Sequence, residues 1–555
     1  HKEYRRQRQM CIRDSDYTIQ KDSRYYNPLS SAGPKSGSDA QTAKGFIEYG
    51  KLISSTSLNY VRTFARKHHL DVLAAYEIES YQTDHASGEK SKLPSDKLTE
   101  PDNAAVLNSF KSATQAYRMI SYLSRLNYDY DDRYYIAGSY RRDGSSRLSP
   151  NNRWGNFWSV SGMWHLGNEN FMKAVKPVLS DVKIRASYGV NGNQPGSYYG
   201  YKGLYSYGEN YMEAAGSYES AQPNDLLTWE KNYSLNLGID LSFINRIFAS
   251  LEYYNRDTKD LLYSLPISAT TGFTSYLSNI GRLNNKGVEF ELRTLNVVSN
   301  DFNWTSVFNL SHNRNKIVSL NGLLDQTIEG TWFIHKVGLP YHTFYVKEFA
   351  GVDPLTGSAQ YYLNTKNEDG SYNRELTTDA AKAESIPYKT ATPKVSGGFT
   401  NILNYKWIDL TFTLTYSLGG YSFDKLGTYI ENGSSSIYSS RYNLPAYMMN
   451  RWQKPGDQTD IPRFVYGEPA TSTNSSRYIH STDHLRLKNF TLGFTLPNQW
   501  TQKLMIDKVR VYFSGNNLLT WAKWKQYDPE TPVNGEVFCE APAMRTFSFG
   551  AQLSF

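Results

Sequence analysis

Apolar and polar residues alternate over long stretches of this chain, which is the pattern of a β-strand with two different faces. The final stretch, 546–555, places these apolar side chains on one face: Phe547, Phe549, Ala551, Leu553 and Phe555. The same alternation predicts strands over 181–190, 234–243 and 408–418. Each is about ten residues long, the length that a tilted strand needs to cross a bilayer. The pattern therefore favours an all-β, membrane-spanning protein.

The composition is compatible with such strands and argues against membrane-spanning helices. Mean hydropathy is −0.59, although 15% of the residues are aromatic, including 45 tyrosines and 11 tryptophans. No run approaches the roughly 18 apolar residues of a spanning helix. In a membrane barrel only every second residue meets lipid, so a low mean hydropathy is what such a protein shows.

Charge, cysteines and motifs indicate no nucleic-acid site and no reaction chemistry. The net charge of +7 is spread along the 555 residues without a basic patch. Cys11 and Cys539 lie far apart and lack the spacing of a disulfide framework or a zinc site. GxSxG, HExxH and Walker-type segments are absent. We therefore predict no enzyme activity, no catalytic residue, no cofactor and no metal site.

Short and long connections alternate between the predicted strands. Short ones fall near Lys67 and at 128–132, 244–246, 297–301 and 404–406. Long ones fall near 84–113, 191–228, 258–285, 313–393, 419–483 and 520–543. Bacterial barrels have short periplasmic turns and long outer loops. We therefore expect long extracellular loops, with Phe555 at the periplasmic side of the outer membrane.

The number of predicted strands bears on the domain organisation. About fifteen strands are predicted, the first near 53–66, whereas bacterial single-chain barrels have even numbers. Residues 1–15 are basic, show no alternation and are interpreted as a non-native or unassigned segment. No signal peptide precedes the strands. We therefore expect an N-terminal part to be missing and assign 16–555 to the C-terminal portion of a barrel.

The alternative fold is a soluble β-rich binding protein such as a β-propeller. Propellers also contain many strands, but those strands are shorter and recur at a constant period. No constant period is found in this sequence. Recovery in the aqueous fraction without detergent would favour this alternative over the membrane barrel.

A series of motifs from Tyr128 to the C-terminus points to one family. They are YDYDDRYYIAGSYRRDGSSR (128–147), NNRWGNFWSVSGMWHLGNENFM (151–172), DVKIRASYGVNGNQ (181–194), LTWEKNYSLNLGIDLSF, YYNRDTKDLLY, NIGRLNNKGVEFEL, NWTSVFNLSHNRNKIVSL, HLRLKNFTLGFTLP, VRVYFSGNNLLTW and the Asp528-Pro529-Glu530 triplet. In this order, and from about Tyr117 onward, the chain resembles the SusC/RagA-type TonB-linked (TonB-dependent) outer-membrane transporters of the Bacteroidetes.

The resemblance implies a fold and a set of partners. The fold is a 22-stranded transmembrane antiparallel barrel with a plug in its lumen, and no plug domain or TonB-contacting segment is recognised in this sequence. The partners are a SusD-like surface lipoprotein and the TonB complex, which would be contacted through the missing N-terminal part. The barrel-assembly machinery is expected to recognise the terminal strand, with Phe547, Phe549, Leu553 and Phe555.

The resemblance also implies uptake of a nutrient across the outer membrane. The expected substrate is a glycan, an oligosaccharide or a peptide. The alternative function is a passive outer-membrane pore, or a surface-binding adhesin that uses the barrel as an anchor. A plug-coding region directly upstream would favour the transporter.

Six tyrosines in one predicted external loop are the candidate ligand contacts: Tyr198, Tyr199, Tyr201, Tyr205, Tyr207 and Tyr211. A tyrosine ring combines an apolar face with a polar tip, which suits stacking on sugar rings and other ligands. Plain packing of the loop is an equally open reading. Trp158, Trp164 and Trp407 lie near strand ends and are predicted to belong to the aromatic girdle at the membrane interface.

A first group of acidic residues lies near a predicted periplasmic turn: Asp129, Asp131, Asp132 and Asp143. Clustered carboxylates suit calcium, but this spacing does not fit an EF-hand loop. Aspartate is a common turn former, so a solvated turn is favoured. The adjacent His68 and His69 face opposite sides of a strand and are not expected to share a metal.

A second acidic group lies in the last predicted external loop: Asp528, Glu530, Glu536 and Glu540. It admits a cation-binding or partner-binding reading. Solvated loop charge is the favoured interpretation.

Overall fold

The structure is a computed structural model that describes residues 5–27, 40–95, 97–212, 214–320, 326–329, 332–431, 443–465, 474–501, 506–530 and 535–554. The chain divides into two compact units. The first comprises His1–Trp164, Arg185–Leu235 and Thr258–Gly281. The second comprises His165–Ile184, Asn236–Asp257 and Arg282–Phe555.

Strands dominate the first half of the chain. They are β1 (Arg5–Tyr26), β2 (Gln41–Phe64), β3 (His68–Ser91), β4 (Val106–Tyr130), β5 (Tyr134–Ser145), β6 (Trp154–His165), β7 (Leu179–Asn193), β8 (Leu204–Tyr211), β9 (Ala214–Ala221), β10 (Glu230–Phe243), β11 (Ile247–Lys259), β12 (Leu262–Pro266), β13 (Ser275–Asn279), β14 (Arg282–Val298) and β15 (Phe302–Ser319).

The second half adds shorter strands between the long ones. They are β16 (Gln326–Glu329), β17 (Phe333–Lys336), β18 (Thr343–Lys347), β19 (Phe349–Val352), β20 (Ala359–Tyr362), β21 (Leu376–Thr377), β22 (Ser385–Thr390), β23 (Val395–Tyr405), β24 (Ile408–Leu418), β25 (Tyr421–Asp424), β26 (Ile479–Ser481), β27 (His484–Thr495), β28 (Lys508–Ala522), β29 (Glu536–Val537) and β30 (Thr546–Ser554).

The helices are single turns. In the part of the chain that the structure describes, the α-helices are α1 (Gly427–Ile430) and α2 (Asn498–Thr501). Short 3₁₀ turns lie at Pro101–Asn103, Leu166–Asn168, Asn170–Ala174, Ala269–Thr271, Ala446–Asn450 and Ser476–Tyr478. In the ranges that the structure describes, no helix is long and apolar enough to cross a membrane.

Sixteen strands are hydrogen-bonded side by side in one sheet, in the order β1, β2, β3, β4, β5, β6, β7, β10, β11, β14, β15, β23, β24, β27, β28 and β30. The predicted all-β fold is confirmed. The sheet has one strand more than the roughly fifteen predicted from alternation, and the additional strand is β1, which pairs with β2 along its whole length. Charged residues interrupt the alternation of β1, so the period-two pattern did not reveal it. The interpretation of residues 1–15 as non-native stays a prediction.

Tight turns connect several long antiparallel pairs. Ala65 with Arg66, Asp131 with Asp132, and Ile244 with Asn245 each adopt two successive positive φ values, between 46° and 57°. Turns of this kind match the right-handed twist of paired strands, which is why they are favoured in two-residue hairpins. The predicted short connections at these places are confirmed.

The first long connection is shorter than predicted. β3 continues to Ser91 and β4 begins at Val106, so the connection predicted at 84–113 covers only 92–105. The reason is that both strands continue as regular, paired strands beyond their apolar-alternating parts. Apolar alternation therefore predicts only the part of each strand that has an apolar face.

Burial is unusual because the long connections, rather than the large sheet, hold most of the fully buried side chains. In the first unit Leu148, Phe157, Leu227 and Trp229 form one core cluster. In the second unit two clusters form: Phe344, Val346, Ala391, Phe423, Tyr478 and Ile479, and separately Ala359, Tyr361 and Ala383. Most of these residues lie between the long strands, so the connections fold as packed structures.

Candidate functional site

One face of the sheet in the first unit is apolar and exposed. Leu126 on β4 and Val160 on β6 both lie opposite Gly138 of β5, and their exposed fractions are 45% and 55%. Ile136 on the same face of β5 is 56% exposed. A contiguous apolar surface is rare on a soluble monomer and marks contact with a membrane or a partner. This face is called the apolar face below.

Aromatic rings border the apolar face at two levels. At one level Tyr130, Tyr134 and Trp164 are in sequential ring contact, at 6.5 and 6.3 Å. At the other, Tyr122 contacts Trp154 at 6.3 Å. Ten residues separate Tyr134 from Gly144, the partner of Trp154, which is about 33 Å along a strand. A strand tilted by about 40° turns this into roughly 25 Å, the height of the apolar band of a membrane barrel.

The predicted girdle residues follow this arrangement in part. Trp158 and Trp164 both lie on the apolar face of β6. Trp164 lies at the border described above, and Trp158 lies between the two borders, where it contacts Tyr188 of β7 at 5.7 Å. Trp407 is exposed in the turn between β23 and β24 of the second unit, and its role in a girdle stays a prediction.

The opposite face of the same strands is polar and internally paired. The Arg141 guanidinium donates through Nε to both Asp143 oxygens, at 2.7 and 2.9 Å. Its Nη2 donates to Ser121 Oγ at 2.9 Å and to Glu77 Oε1 at 3.3 Å. Such charge-assisted bonds keep a charged wall in fixed geometry. One sheet thus separates an apolar surface from a charged one, as in a barrel wall between lipid and a hydrated lumen.

Tyr198, the first of the six candidate tyrosines, is half-buried in a packed cluster. The Arg147 guanidinium lies over two rings that also contact each other, 4.0 Å from the centroid of Tyr117 and 4.4 Å from that of Tyr198. Arg147 Nη1 also donates to the carbonyl oxygens of Pro195 and Gly196, at 3.0 and 3.2 Å. Cation–π contact and backbone capture together hold the loop against the strands. Sequence reasoning missed Arg147, because its partners lie 30 to 51 residues away.

Tyr199 and Tyr201 are half-buried as well. The Tyr199 hydroxyl accepts a hydrogen bond from the Ala116 amide at 3.2 Å. The Tyr201 ring packs against the core cluster that contains Leu148 and Trp229. Tyr198, Tyr199 and Tyr201 form the packed trio, for which the structure supports the loop-packing reading.

Tyr205, Tyr207 and Tyr211 form the exposed trio. They lie on β8, which pairs with β9 in a hairpin, and are 56%, 76% and 75% exposed. A bulge at Gly208, with φ at +127°, shifts the register between Tyr207 and Tyr211. The Tyr205 hydroxyl donates to Glu219 Oε1 at 3.0 Å, and this hydrogen bond raises the pKa of Tyr205. Of the six candidate tyrosines, these three have exposed rings, and their role as ligand contacts stays a prediction.

Three of the four acidic residues of the last long connection, Asp528, Glu530 and Glu536, are ion-paired, so the interpretation as solvated charge was wrong for these three. Arg486 of β27 is buried and forms ion pairs with Asp528 and, at 3.1 Å, with Glu530. Lys488 Nζ contacts Glu530 at 2.7 Å. Desolvation acts to raise the pKa of Asp528, but the hydrogen bonds from Arg486 and from the Glu530 and Ala543 amides, together with the Arg486 charge, outweigh it. The net pKa is lowered.

The other two acids of this connection are also engaged. Glu536 accepts a hydrogen bond from Lys425 Nζ at 2.7 Å, and Glu540 accepts one from the Phe538 amide at 2.6 Å. The sequence did not reveal the ion pairs because the cations lie 42 to 111 residues earlier, on β27 and directly after β25. The ion pairs and hydrogen bonds of these acidic residues therefore hold the connection in place.

A buried acid lies in the same unit. Asp424, at the end of β25, is 1% exposed, and its Oδ1 accepts a hydrogen bond from the Gly427 amide at 2.7 Å, which caps α1. Burial raises its pKa to about 6, the Gly427 bond opposes this shift, and the nearby Glu431 charge adds to it. Glu431 itself pairs with Arg477 at 3.1 Å.

The acidic turn of the first unit shows ordinary ion pairing. Asp131 lies 3.6 Å from Lys67 and 3.4 Å from Arg133, while Asp143 lies away from this turn, on β5. His68 Nδ1 bonds the Tyr128 hydroxyl, and His69 Nδ1 bonds Thr63 Oγ1. Across the parts of the chain that the structure covers, no three His, Cys, Asp or Glu side chains are grouped to hold a metal.

The terminal strand forms where the alternation predicts it. β30 pairs antiparallel with β28 from Thr546 to Ser554. Phe549 contacts Phe513 of β28 at 5.1 Å, and Phe547 contacts the same ring at 6.1 Å. Phe555 lies outside the described residues. Recognition of this strand by assembly machinery stays a prediction.

Comparison with known proteins identifies relatives of this sequence. It is 31% identical over 536 residues to TonB-dependent receptor P3 of Formosa agariphila, covering 91% of this chain and 52% of that protein. It is 31% identical over 501 residues to TonB-dependent receptor SusC of Bacteroides thetaiotaomicron, covering 85% and 47%. The chain thus spans about half the length of the curated relatives it matches.

Structural comparison gives the same result. The RagAB peptide transporter structure superposes with a TM-score of 0.85 at 28% identity, over 99% of this chain and 60% of that one. The family described as "TonB dependent receptor-like, beta-barrel" matches residues 10–518. Its members are receptors and transporters of the outer membrane. The chain belongs to the TonB-dependent receptor β-barrel family.

Proposed function

We propose that this protein imports a nutrient across the outer membrane, with residues 16–555 as barrel wall and external loops. The substrate is a glycan, an oligosaccharide or a peptide. A SusD-like surface lipoprotein covers the long loops, and the TonB complex supplies the energy. The long loops face the exterior, and the C-terminus lies at the periplasmic side.

The two-faced sheet of the first unit is the observation that carries the proposal. Its apolar face is bordered by aromatic rings about 25 Å apart, which suits lipid. Its other face carries the fixed charges of Glu77, Arg141 and Asp143. A charged, hydrogen-bonding wall suits passage of a hydrated polar substrate, which exchanges water contacts for similar ones along the way.

The exposed trio is proposed as the first contact of the substrate. Its rings offer apolar faces and hydroxyl tips without the loss of any packing, since they are already exposed. The relative named SusC and the RagAB peptide transporter support transport as the activity. The passive pore and the adhesin predict different energetics and are distinguished by experiment.

Uptake in cells tests the proposal. A strain deleted for the gene, and the same strain complemented with it, are given two labelled probes: a neutral oligosaccharide mixture and a tryptic peptide mixture. We expect complementation to restore uptake of one probe, and a protonophore to abolish it. Uptake that resists the protonophore would indicate a passive pore. Equal uptake of both probes with and without the gene would refute import of either class.

The role of the exposed trio is tested in the same cells. The triple variant Y205A/Y207A/Y211A should reduce uptake at limiting substrate by about 100-fold or more, if each ring supplies roughly 1 kcal/mol. The control is Y405A, which removes a similarly exposed tyrosine at a short turn. Surface abundance is measured for every variant. Unchanged uptake by the triple variant would remove these rings from the ligand site.

A further inference from the structure

Two arginines lie on the apolar face of the first unit, beside its second aromatic border. Arg142 of β5 pairs in register with Tyr122 of β4, and its guanidinium lies 5.1 Å from the centroid of the Trp154 ring. Arg118 lies four residues beyond Tyr122 on β4, on the same face. Both side chains are exposed.

Arginines on the polar face of the same strands are paired with carboxylates, and these two are not. Arg141 pairs with Asp143 and Glu77, and Arg125 lies 3.5 Å from Asp71. Over the described residues, neither Arg118 nor Arg142 lies within ion-pair distance of a carboxylate. Adjacent residues of one strand thus differ, because Arg141 faces the charged wall and Arg142 faces the lipid side. Among the described residues no carboxylate neutralises Arg118 or Arg142, so both can pair with an anion from outside the chain.

The position of the two arginines near the aromatic border indicates which kind of anion pairs with them. Trp and Tyr side chains collect where acyl chains give way to headgroups, and long cationic side chains reach from that level into the headgroups. From strand spacing and rise, Arg118 and Arg142 have Cα atoms about 14 Å apart. Two arginine side chains can bracket one phosphorylated headgroup across that span. A guanidinium matches phosphate with paired N–H donors.

We propose that Arg118 and Arg142 form a binding site for a phosphate-bearing lipid headgroup. Arg118 and Arg142 donate to phosphate oxygens, and Trp154 holds Arg142 beneath the headgroup. The site is independent of nutrient import, because it lies on the opposite face of the sheet from the charged wall. It is a means of fixing one lipid against the barrel.

Lipid binding by the purified full chain in detergent tests the site, by native mass spectrometry with titrated lipid. The probes are a bisphosphorylated lipid A, phosphatidylglycerol and inorganic phosphate. A basic side chain near a membrane surface contributes about 1 kcal/mol, so R118Q and R142Q should each weaken lipid binding about fivefold, and the double variant about 30-fold. Selective loss of lipid A binding identifies the glycolipid as ligand, and equal loss for both lipids identifies any anionic phospholipid.

The matched control is R125Q, which removes an exposed arginine from the other face of the same strand. It should bind both lipids within twofold of the wild type. Heat-modifiable migration in gel electrophoresis confirms that each variant is folded. If the double variant does not fold, the two single variants test the proposal. The proposal would be overturned if R118Q and R142Q bound lipid as the wild type does, or if R125Q lost as much binding as they do. Displacement of the lipid by millimolar inorganic phosphate would also overturn it.

Discussion

The packed trio and the exposed trio lie within fourteen residues of one another and have opposite surroundings. Tyr198 shares the Arg147 guanidinium with Tyr117, and Tyr201 packs on the Trp229 cluster. Tyr207 and Tyr211, on the neighbouring hairpin, are about three-quarters exposed. The residue type is the same in both, so it does not distinguish a structural tyrosine from a ligand contact. Whether a tyrosine is packed or exposed depends on the residues that contact its ring, and these residues are distant in the sequence.

The largest expected effect comes from the core beneath the packed trio. Trp229 is 4% exposed, and its Nε1 donates to the Arg153 carbonyl at 2.9 Å. Trp229→Ala leaves a cavity and an unpaired carbonyl, so we expect a loss of about 3–5 kcal/mol. Urea unfolding in detergent measures it. A loss below about 1 kcal/mol would show that the packed trio has no rigid support.

The second unit also contains a residue buried between the long strands, Asp424. Its pKa in the folded state is raised to about 6, whereas an unfolded aspartic acid titrates near 3.9. The folded state therefore holds the proton more tightly, and stability should fall as pH rises from about 4 to 6, then level off. We expect a change of about 1–3 kcal/mol. Urea unfolding at a series of pH values measures it.

Asp424→Asn is the matched control for that titration. The amide keeps the shape of the side chain and its acceptor for the Gly427 amide. The pH slope between 4 and 6 should disappear in this variant. A slope that persists would assign the titration to another group.

Removing the ring of Tyr198 measures how much one member of the packed trio contributes to stability. Tyr198→Ala removes the contacts with Arg147 and Tyr117, so we expect a loss of about 1–2 kcal/mol. A double-mutant cycle with Arg147→Ala should show coupling of about 0.5–1 kcal/mol. Additive effects of the two substitutions would contradict a stabilising contact between Arg147 and the Tyr198 ring.

The smallest expected effect belongs to the exposed trio. Tyr207→Ala removes a ring that is 76% exposed, and surface substitutions of this kind change stability by less than about 0.5 kcal/mol. The same urea experiment measures it beside Tyr198→Ala. A loss as large as that of Tyr198→Ala would mean that the exposed trio is structural and would remove it as the ligand contact.

The sheet was predictable from the sequence because each strand carries its own signal. β24 has the predicted bounds, Ile408–Leu418, and β30 covers the predicted terminal strand except for Phe555, which is outside the described residues. Alternation is decided locally, by the requirement that one face meets lipid and the other water. β1 escaped prediction because charged residues interrupt that alternation.

The candidate site was predictable only in its residue types. The six tyrosines were identified together, but their division depends on partners such as Arg147, which lies just after β5, and Tyr117, which lies within β4. The acidic residues Asp528 and Glu530 depend in the same way on Arg486. Pairs formed across such separations leave no periodic pattern in a single sequence, so burial and charge state had to come from the structure.

The central claim is that the sheet separates lipid from water, and nitroxide scanning of β5 tests it most directly. Single spin labels are placed at six successive positions in the full chain reconstituted in bilayers: Tyr135, Ile136, Ala137, Gly138, Ser139 and Tyr140. Positions 136, 138 and 140 should be accessible to oxygen and protected from a water-soluble nickel chelate, and positions 135, 137 and 139 should show the reverse. Accessibility that does not alternate, or nickel access to both faces, would contradict the account.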